Sequence, residues 1–436
     1  MTEDLLSIAA DAVARARKLG ADAAVASMGG GHSTDLEILN GEIEKLDASE
    51  GARIGLLVYV GKSSASTSSS VFTPDALNRL AESALAMARL APPNPFAGIA
   101  DPDQLATDFP DLDLVSSELP DAQELKRMAL AAEASALAVA GVTKSGGAGA
   151  SSYERTGALV ISNGFARRTR RTGCSVSVSA IAGDGTAMER DYDYSSVIHL
   201  EDLKSPEAIG LEAGQRAVRR LNPRKVASQS VPVVFDRRVA SSLIAHLLGA
   251  ISGGAIARGT SFLKDDLGKT IFAKSITIAE DPFRRRGLAS HSFDGDGLPT
   301  RSRNLVDSGV LTTWLLDLAS SRQLNLAPTG HGSGVSNVHL QPGPATPQDL
   351  MRDIRQGLLV TEMIGSSIDM VTGDYSRGAS GYWIENGELA YPVSEITIAG
   401  NLRDIFLNVT PANDLEFRSS INAPSCRVEG LTIAGR

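Results

Sequence analysis

The chain of 436 residues holds two cysteines, Cys174 and Cys426, far apart and in no C-x-x-C pair. That excludes a disulfide framework and fits a reducing compartment. Aromatic residues make up only 5% of the chain, which leaves little for stacking single-stranded bases. No apolar run approaches the ~20 residues that span a bilayer. The first twenty residues, MTEDLLSIAADAVARARKLG, are acidic and then amphipathic, without the basic and apolar regions of a signal peptide. These features predict a soluble, cytoplasmic protein. The net charge of −9 repels a polyanion, so nucleic acid is excluded as a first partner.

The remaining composition is globular, at 42% hydrophobic and 21% charged, with 42 glycines that imply many turns and hairpins. The length predicts two or three domains. Leu5, Ile8, Ala9, Ala12 and Val13 recur at helical spacing over residues 4–18, with Gly20 placed as a C′ glycine. RIGLLVYV (53–60) reads as a buried strand, followed by SSASTSSS as a strand end or a loop. Thr73 and Pro74 predict a capped helix to about Leu90.

Residues 91–120, rich in proline and aspartate, form either an extended connector or an ordered strap. A helix over 121–140 then gives way to strands. Asn163-Gly164 and Asn386-Gly387 both carry the signal of a type I′ hairpin turn. Ser205-Pro206 and Thr346-Pro347 each start a helix. The expected class is α+β: an α/β N-terminal part followed by a large antiparallel β-rich C-terminal domain. The expected division is a first module over 1–90, a connector over 91–120, a middle module over 121–225 and a β-rich domain over 231–436.

Most familiar catalytic motifs are missing. None of the six histidines lies three, four or five residues from another, and none is followed by glutamate, so no helical zinc-hydrolase motif is present. Gly330-His331-Gly332-Ser333-Gly334 misplaces the serine of a nucleophile elbow by one residue. The glycines from Gly254 to Gly259 lack the lysine of a phosphate loop. Asp294-Gly295-Asp296-Gly297 lacks the further ligands of a calcium loop and reads as a turn. Arg167, Arg168, Arg170 and Arg171 form a basic strand. It is either a solvated, charged edge or a patch for acidic or C-terminal carboxylates. Arg284, Arg285 and Arg286 admit the same two readings.

The segment DRRVASSLIAHLLGAISGG (236–254) predicts a helix with Val239, Leu243, Leu247 and Ala250 on one stripe, joined by Ile244 and Ile251. His246 falls seven residues after Val239, on the same face. A histidine in that setting is more often a hydrogen-bonded core residue than a ligand.

This helix, the ARGTSFL that follows it, RRRGLASHSFDGDGLPTRSRNLVDSGVL (284–311), VTGDYSRGASGYWIENGELAYPVSEITIAGNLRDIF (371–406) and INAPSCRVEGLTIAG together resemble the PmbA branch of the TldD/PmbA peptidase family. In that family the TldD-type subunit carries an HExxxH zinc motif on the corresponding helix. Laid on this sequence, the first histidine is His246, the glutamate position holds Leu247 and the second histidine position holds Ile251.

The resemblance therefore implies a PmbA/TldE-like subunit with no catalytic residue and no metal of its own. Zinc would sit in a TldD-type partner, unfolded peptides would be the substrates, and a homodimer could form in the partner's absence. An older link of the family to DNA gyrase finds no support in the acidic balance of this chain. An extended peptide gripped along an open strand edge gives candidate substrate contacts at Gly253, Gly254, Gly378, Ser380 and Gly381, and His246 joins them because it occupies the former ligand position. Two alternatives remain: a stand-alone metal-dependent hydrolase with scattered ligands such as His246, His331 and His339, and a peptide-binding regulator without protease function.

Overall fold

The structure, a computed structural model, describes residues 5–435. Residue 4, where the sequence starts the first helix, lies outside them. The N-terminal half runs α1 (Leu5–Lys18), β1 (Ala23–Leu39), β2 (Glu42–Val60), β3 (Ser63–Ser69) and α2 (Pro74–Leu90), then α3 (Ala122–Leu137), β4 (Val142–Ile161), β5 (Ala166–Ala182), β6 (Glu189–Val197) and α4 (Pro206–Arg219). Its strands form one antiparallel sheet in the order β3-β2-β1-β4-β5-β6. The first and middle modules thus share a single sheet, joined where β1 pairs with β4.

Even-numbered residues of β1 and β4 point to one face. Ala26, Met28, Ala158 and Val160 pack under α1 and α2. Leu36, Ile38, Ala148 and Ala150 pack under α3 and α4. Two helix pairs therefore cover the two ends of the same long strands. Thr73 caps α2 through its hydroxyl, as the sequence predicts.

The C-terminal half runs β7 (Gln229–Phe235), α5 (Arg237–Ala250), α6 (Gly253–Ala257), β8 (Ile278–Asp281), β9 (Arg303–Asp307), β10 (Val310–Leu311), α7 (Leu318–Leu324), β11 (Asn337–Leu340) and α8 (Pro347–Met351). It ends with β12 (Gln356–Ile368), β13 (Asp374–Glu385), β14 (Glu388–Asn401), α9 (Leu402–Leu407), β15 (Val409–Pro411), β16 (Ile421–Asn422) and β17 (Cys426–Ala434). One sheet has the order β14-β13-β12-β7-β17-β15, and β14 also pairs with β17. That pairing closes five strands into a barrel, which removes their free edges. A second sheet, β10-β9-β8-β11-β16, lies beside it. The class is α+β, as expected. The C-terminal sheets are not wholly antiparallel, because β7–β12 and β11–β16 run parallel. Parallel partners need a crossover rather than a hairpin, and here the crossover from β7 to β12 carries α5 and four strands of the second sheet, all but β16.

One local reading changes, and two that were open are settled. Of the two residues in the Asn163-Gly164 turn, only Gly164 has positive φ (103°). The turn is a longer loop in which Asn163 Oδ1 accepts the Phe165 amide, not a type I′ turn. Asn386 and Gly387 both have positive φ and form the predicted one. SSASTSSS is strand β3. Residues 91–120 form an ordered strap. Ala97, Ala100, Ala106 and Leu112 are buried, and main-chain bonds tie it to Lys62, Gly297, Thr172 and Arg286.

The two halves meet at a buried charge cluster. Asp191 and Asp193, adjacent on one face of β6, are 3% and 1% exposed. Arg216 of α4 and Arg220, its C-cap, reach them from their own side, at 3.1 and 3.5 Å. Arg238 of α5 reaches Asp191 at 2.6 Å, and Arg418 reaches Asp193 at 2.7 Å. Arg220 also pairs with Glu362 of β12 at 2.5 Å. Removing one partner of such a cluster leaves uncompensated buried charge, at a cost of ~3–5 kcal/mol. Asp191→Ala is expected to lower unfolding stability by about that amount in urea. Lys45→Ala, which breaks the exposed Lys45–Asp47 pair, should leave the midpoint unchanged. Equal effects of the two would contradict the clamp.

Candidate functional site

α5 is capped by Asp236, whose carboxylate accepts the Arg238 amide at 2.9 Å. Ala240, Leu243, Ile244, Leu247, Leu248 and Ile251 enter the main C-terminal core beside Phe235 and Trp314. The helix ends at Ala250, and the Gly253 amide bonds to Leu315 O. Gly253 is required there: a Cβ would lie 2.3 Å from Ser320 Oγ and 2.8 Å from Leu315 O.

His246 lies at the margin of the stripe, half-buried. Its ring meets Tyr375 of β13 edge-on, with centroids 5.9 Å apart. Its Nε2 is buried without a hydrogen-bond partner, and so is the Tyr375 hydroxyl. This differs from the expected hydrogen-bonded core histidine. Two unpaired buried polar atoms carry a desolvation cost of ~1–3 kcal/mol each. Burial, and then the charge of Arg377, push the imidazole down to about 4, so the ring is neutral near pH 7.

A neutral imidazole suits a metal, but its neighbours do not. Leu247 and Ile251 are fully buried in the hydrophobic core. Neither side chain has a lone pair for zinc or a base for water. The residues present do not fit a zinc ion. The other proposed ligands are engaged elsewhere. His331 Nε2 sits 3.0 Å from Glu280 Oε2, and its Nδ1 2.7 Å from Thr329 Oγ1. Burial raises the Glu280 carboxyl, but His331 and the Ser336 amide and hydroxyl outweigh it and leave it below the usual range. His339 packs on Phe417, with centroids 5.2 Å apart. Among the described residues, no three His, Cys, Asp or Glu side chains group as a metal site.

The remaining candidates are spread out. β13 brings Gly378, Ser380 and Gly381 near Tyr375, yet it is an interior strand paired with β12 and β14. No main-chain edge is free there for an added peptide. Gly381 is needed because a Cβ would stand 1.8 Å from Leu359 O. Ser380 is 5% exposed, and a Cβ on Gly378 would lie 3.3 Å from Ile364 O. Gly254 meets only the Arg258 side chain of its own helix.

The Asp294–Gly297 turn is closed by its own carboxylate, which accepts the Asp296, Leu298 and Gly332 amides. Burial, and then Asp294, push Asp296 up to about 6. The arginines at 284–286 are absorbed by structure. Arg286 pairs with Asp113, Glu201 and Asp202, Arg285 with Asp113, and Arg284 stacks on Phe417. Tyr375 and Arg377, the partners that define the setting of His246, were not singled out in the sequence.

Three family models match in succession: the PmbA/TldA metallopeptidase domain 1 over 24–88, the central domain over 116–221 and the C-terminal domain over 228–435. The chain belongs to the TldD/PmbA family. It is 40% identical over 398 residues to the Escherichia coli O157:H7 protein named metalloprotease PmbA, covering 91% of this chain and 88% of that one. A Bacteroides thetaiotaomicron structure, described as a candidate modulator of DNA gyrase, superposes with a TM-score of 0.94 at 28% identity over the full length of both chains. TldE from Thermococcus kodakarensis shares the fold, with a TM-score of 0.84 at 19% identity over 98% of this chain and 100% of that one.

In this TldD/PmbA chain the neutral His246 has a sign that can be tested. Its folded value of about 4 lies below the ordinary 6.5. Between those values the unfolded chain holds the extra proton, so stability falls as pH drops through that window. His246→Leu removes this component. The stability lost between about pH 7 and about pH 4.5, read by urea unfolding, should be smaller in the variant than in the parent. An equal loss in both would contradict the burial of a neutral ring.

Proposed function

We propose that this chain is the zinc-free PmbA/TldE-type subunit of a cytoplasmic two-subunit metallopeptidase acting on unfolded peptides. The observation that carries the reading is the state of α5. At the two positions where a TldD-type chain would hold a glutamate and a second histidine, Leu247 and Ile251 are fully buried core residues. The remaining His246 is neutral and unpaired. On this reading zinc and the catalytic glutamate belong to a TldD-type partner. This chain completes the chamber that holds the peptide, and without that partner it can form a homodimer. The relatives named metalloprotease support the activity class, and the TldE fold supports the branch.

Cleavage of an unstructured peptide tests the proposal directly. This chain alone and a TldD-type partner alone are expected to be inactive or nearly so, and the purified pair active. Zinc-dependent cleavage by this chain alone would overturn it.

A further inference from the structure

The basic strand retains the second of its two readings, and the structure adds what the sequence could not show. β6 covers the outer edge of β5 from Cys174 onward. The strap covers it at Thr172, whose amide donates to Leu114 O at 3.0 Å. Alternate residues of a strand face the same side, so the Arg168 and Arg170 main-chain groups also face outward. From Ala166 to Arg171 no strand pairs with that edge among the described residues. The free edge, at ~3.3 Å per residue, is about 20 Å long. It borders a cleft of about 690 Å³ between β5, the strap and the His291–Gly295 loop.

The charge of this edge is uncompensated. Arg155 and Arg171 stand directly opposite each other across β4 and β5, an arrangement that costs stability unless an anion intervenes. Arg171 donates to the Leu288 and Ser290 carbonyls, not to a carboxylate. Arg168 has no side-chain partner among the described residues. Arg167 lies over the Phe109 ring, and Arg155 over that of Tyr153. Only Arg170 is neutralised, by Glu154 at 2.7 Å. The carboxylates in the cleft do not answer these cations: Asp294 is saturated by backbone amides, and Asp111 accepts the Asp113 amide. In a chain of net charge −9, a strand edge that is open and unbalanced in this way is an exception. In the same cleft His291 Nε2 is buried without a partner.

We propose that the free edge of β5 from Ala166 to Arg171 takes up an extended, acidic peptide segment as an added strand. The peptide's main chain bonds to the outward groups of Arg168 and Arg170. In one register its alternate carboxylates meet Arg155 and Arg167 on one face of the sheet, and in the other they meet Arg168 on the opposite face. The inference rests on the reading of the chain as a peptide-handling subunit and names a chemistry for the peptide. A charged edge that merely repels other chains would bind neither sign.

The test uses fluorescence anisotropy on the isolated full chain at low salt. The probes are labelled peptides of roughly eight residues: alternating Val and Glu, the matching Val and Lys peptide, and the Val–Glu peptide N-methylated at alternate amides. The acidic peptide should bind, and the lysine peptide should bind at least about tenfold more weakly. N-methylation, which leaves the protein untouched, should abolish binding. Arg155→Glu with Arg168→Glu, both exposed residues, should weaken it by at least about tenfold. No binding of the acidic peptide, equal binding of both charges, or indifference to N-methylation or to the double substitution overturns the inference. Since no partner and no cleavage enter this readout, acidic-peptide binding by a chain that never supports cleavage would refute the subunit reading and leave the groove standing.

Discussion

The geometry of this molecule depends on two buried aspartates. Asp191 and Asp193 lie two residues apart on β6 and attract arginines from both halves of the chain. Burying that much charge is tolerable only if every partner is in place, so the cluster admits one docking of the barrel half onto the N-terminal sheet. Arg238 belongs to α5, and the clamp therefore fixes the helix that carries His246.

On α5 the clamp holds an apolar helix. Where a zinc site would need a base and a second imidazole, Leu247 and Ile251 pack against the core of the barrel half. Full burial of such side chains contributes about 1.5–3 kcal/mol each, so the helix serves stability at those positions. The one residual ligand type, His246, faces the Tyr375 ring, and neither polar atom finds a partner within the chain.

Much of this was legible in the sequence because it is local. Thr73, Ser205 and Thr346 announce their helices by capping chemistry, and each caps one. Asn386-Gly387 makes its hairpin because both residues reach positive φ. Asn163-Gly164 does not, because the Asn163 side chain caps the loop instead. The outer half of β2, residues 42–51, is exposed throughout, so it has no alternation to read and only 53–60 stood out. The class and the family were legible in long motifs. The parallel β7–β12 pairing, the barrel closure through β14–β17 and the meeting of Asp191 with Arg238 join residues tens of positions apart, and no spacing rule reaches them. The same holds for the site. That His246 sits on a helix was readable; that its partners would be Tyr375 and Arg377 was not. The interior position of β13, which closes the main-chain edge at Gly378–Gly381, appears only once the sheet is assembled.

The central claim is that the catalytic metal lies outside this chain. Zinc content measured by mass spectrometry, on this chain alone and on its purified complex with a TldD-type partner, tests that claim most directly. The account predicts no stoichiometric zinc in the chain alone and about one zinc per pair in the complex, retained when His246 is replaced by alanine. Stoichiometric zinc in the isolated chain, lost on His246→Ala, would contradict it.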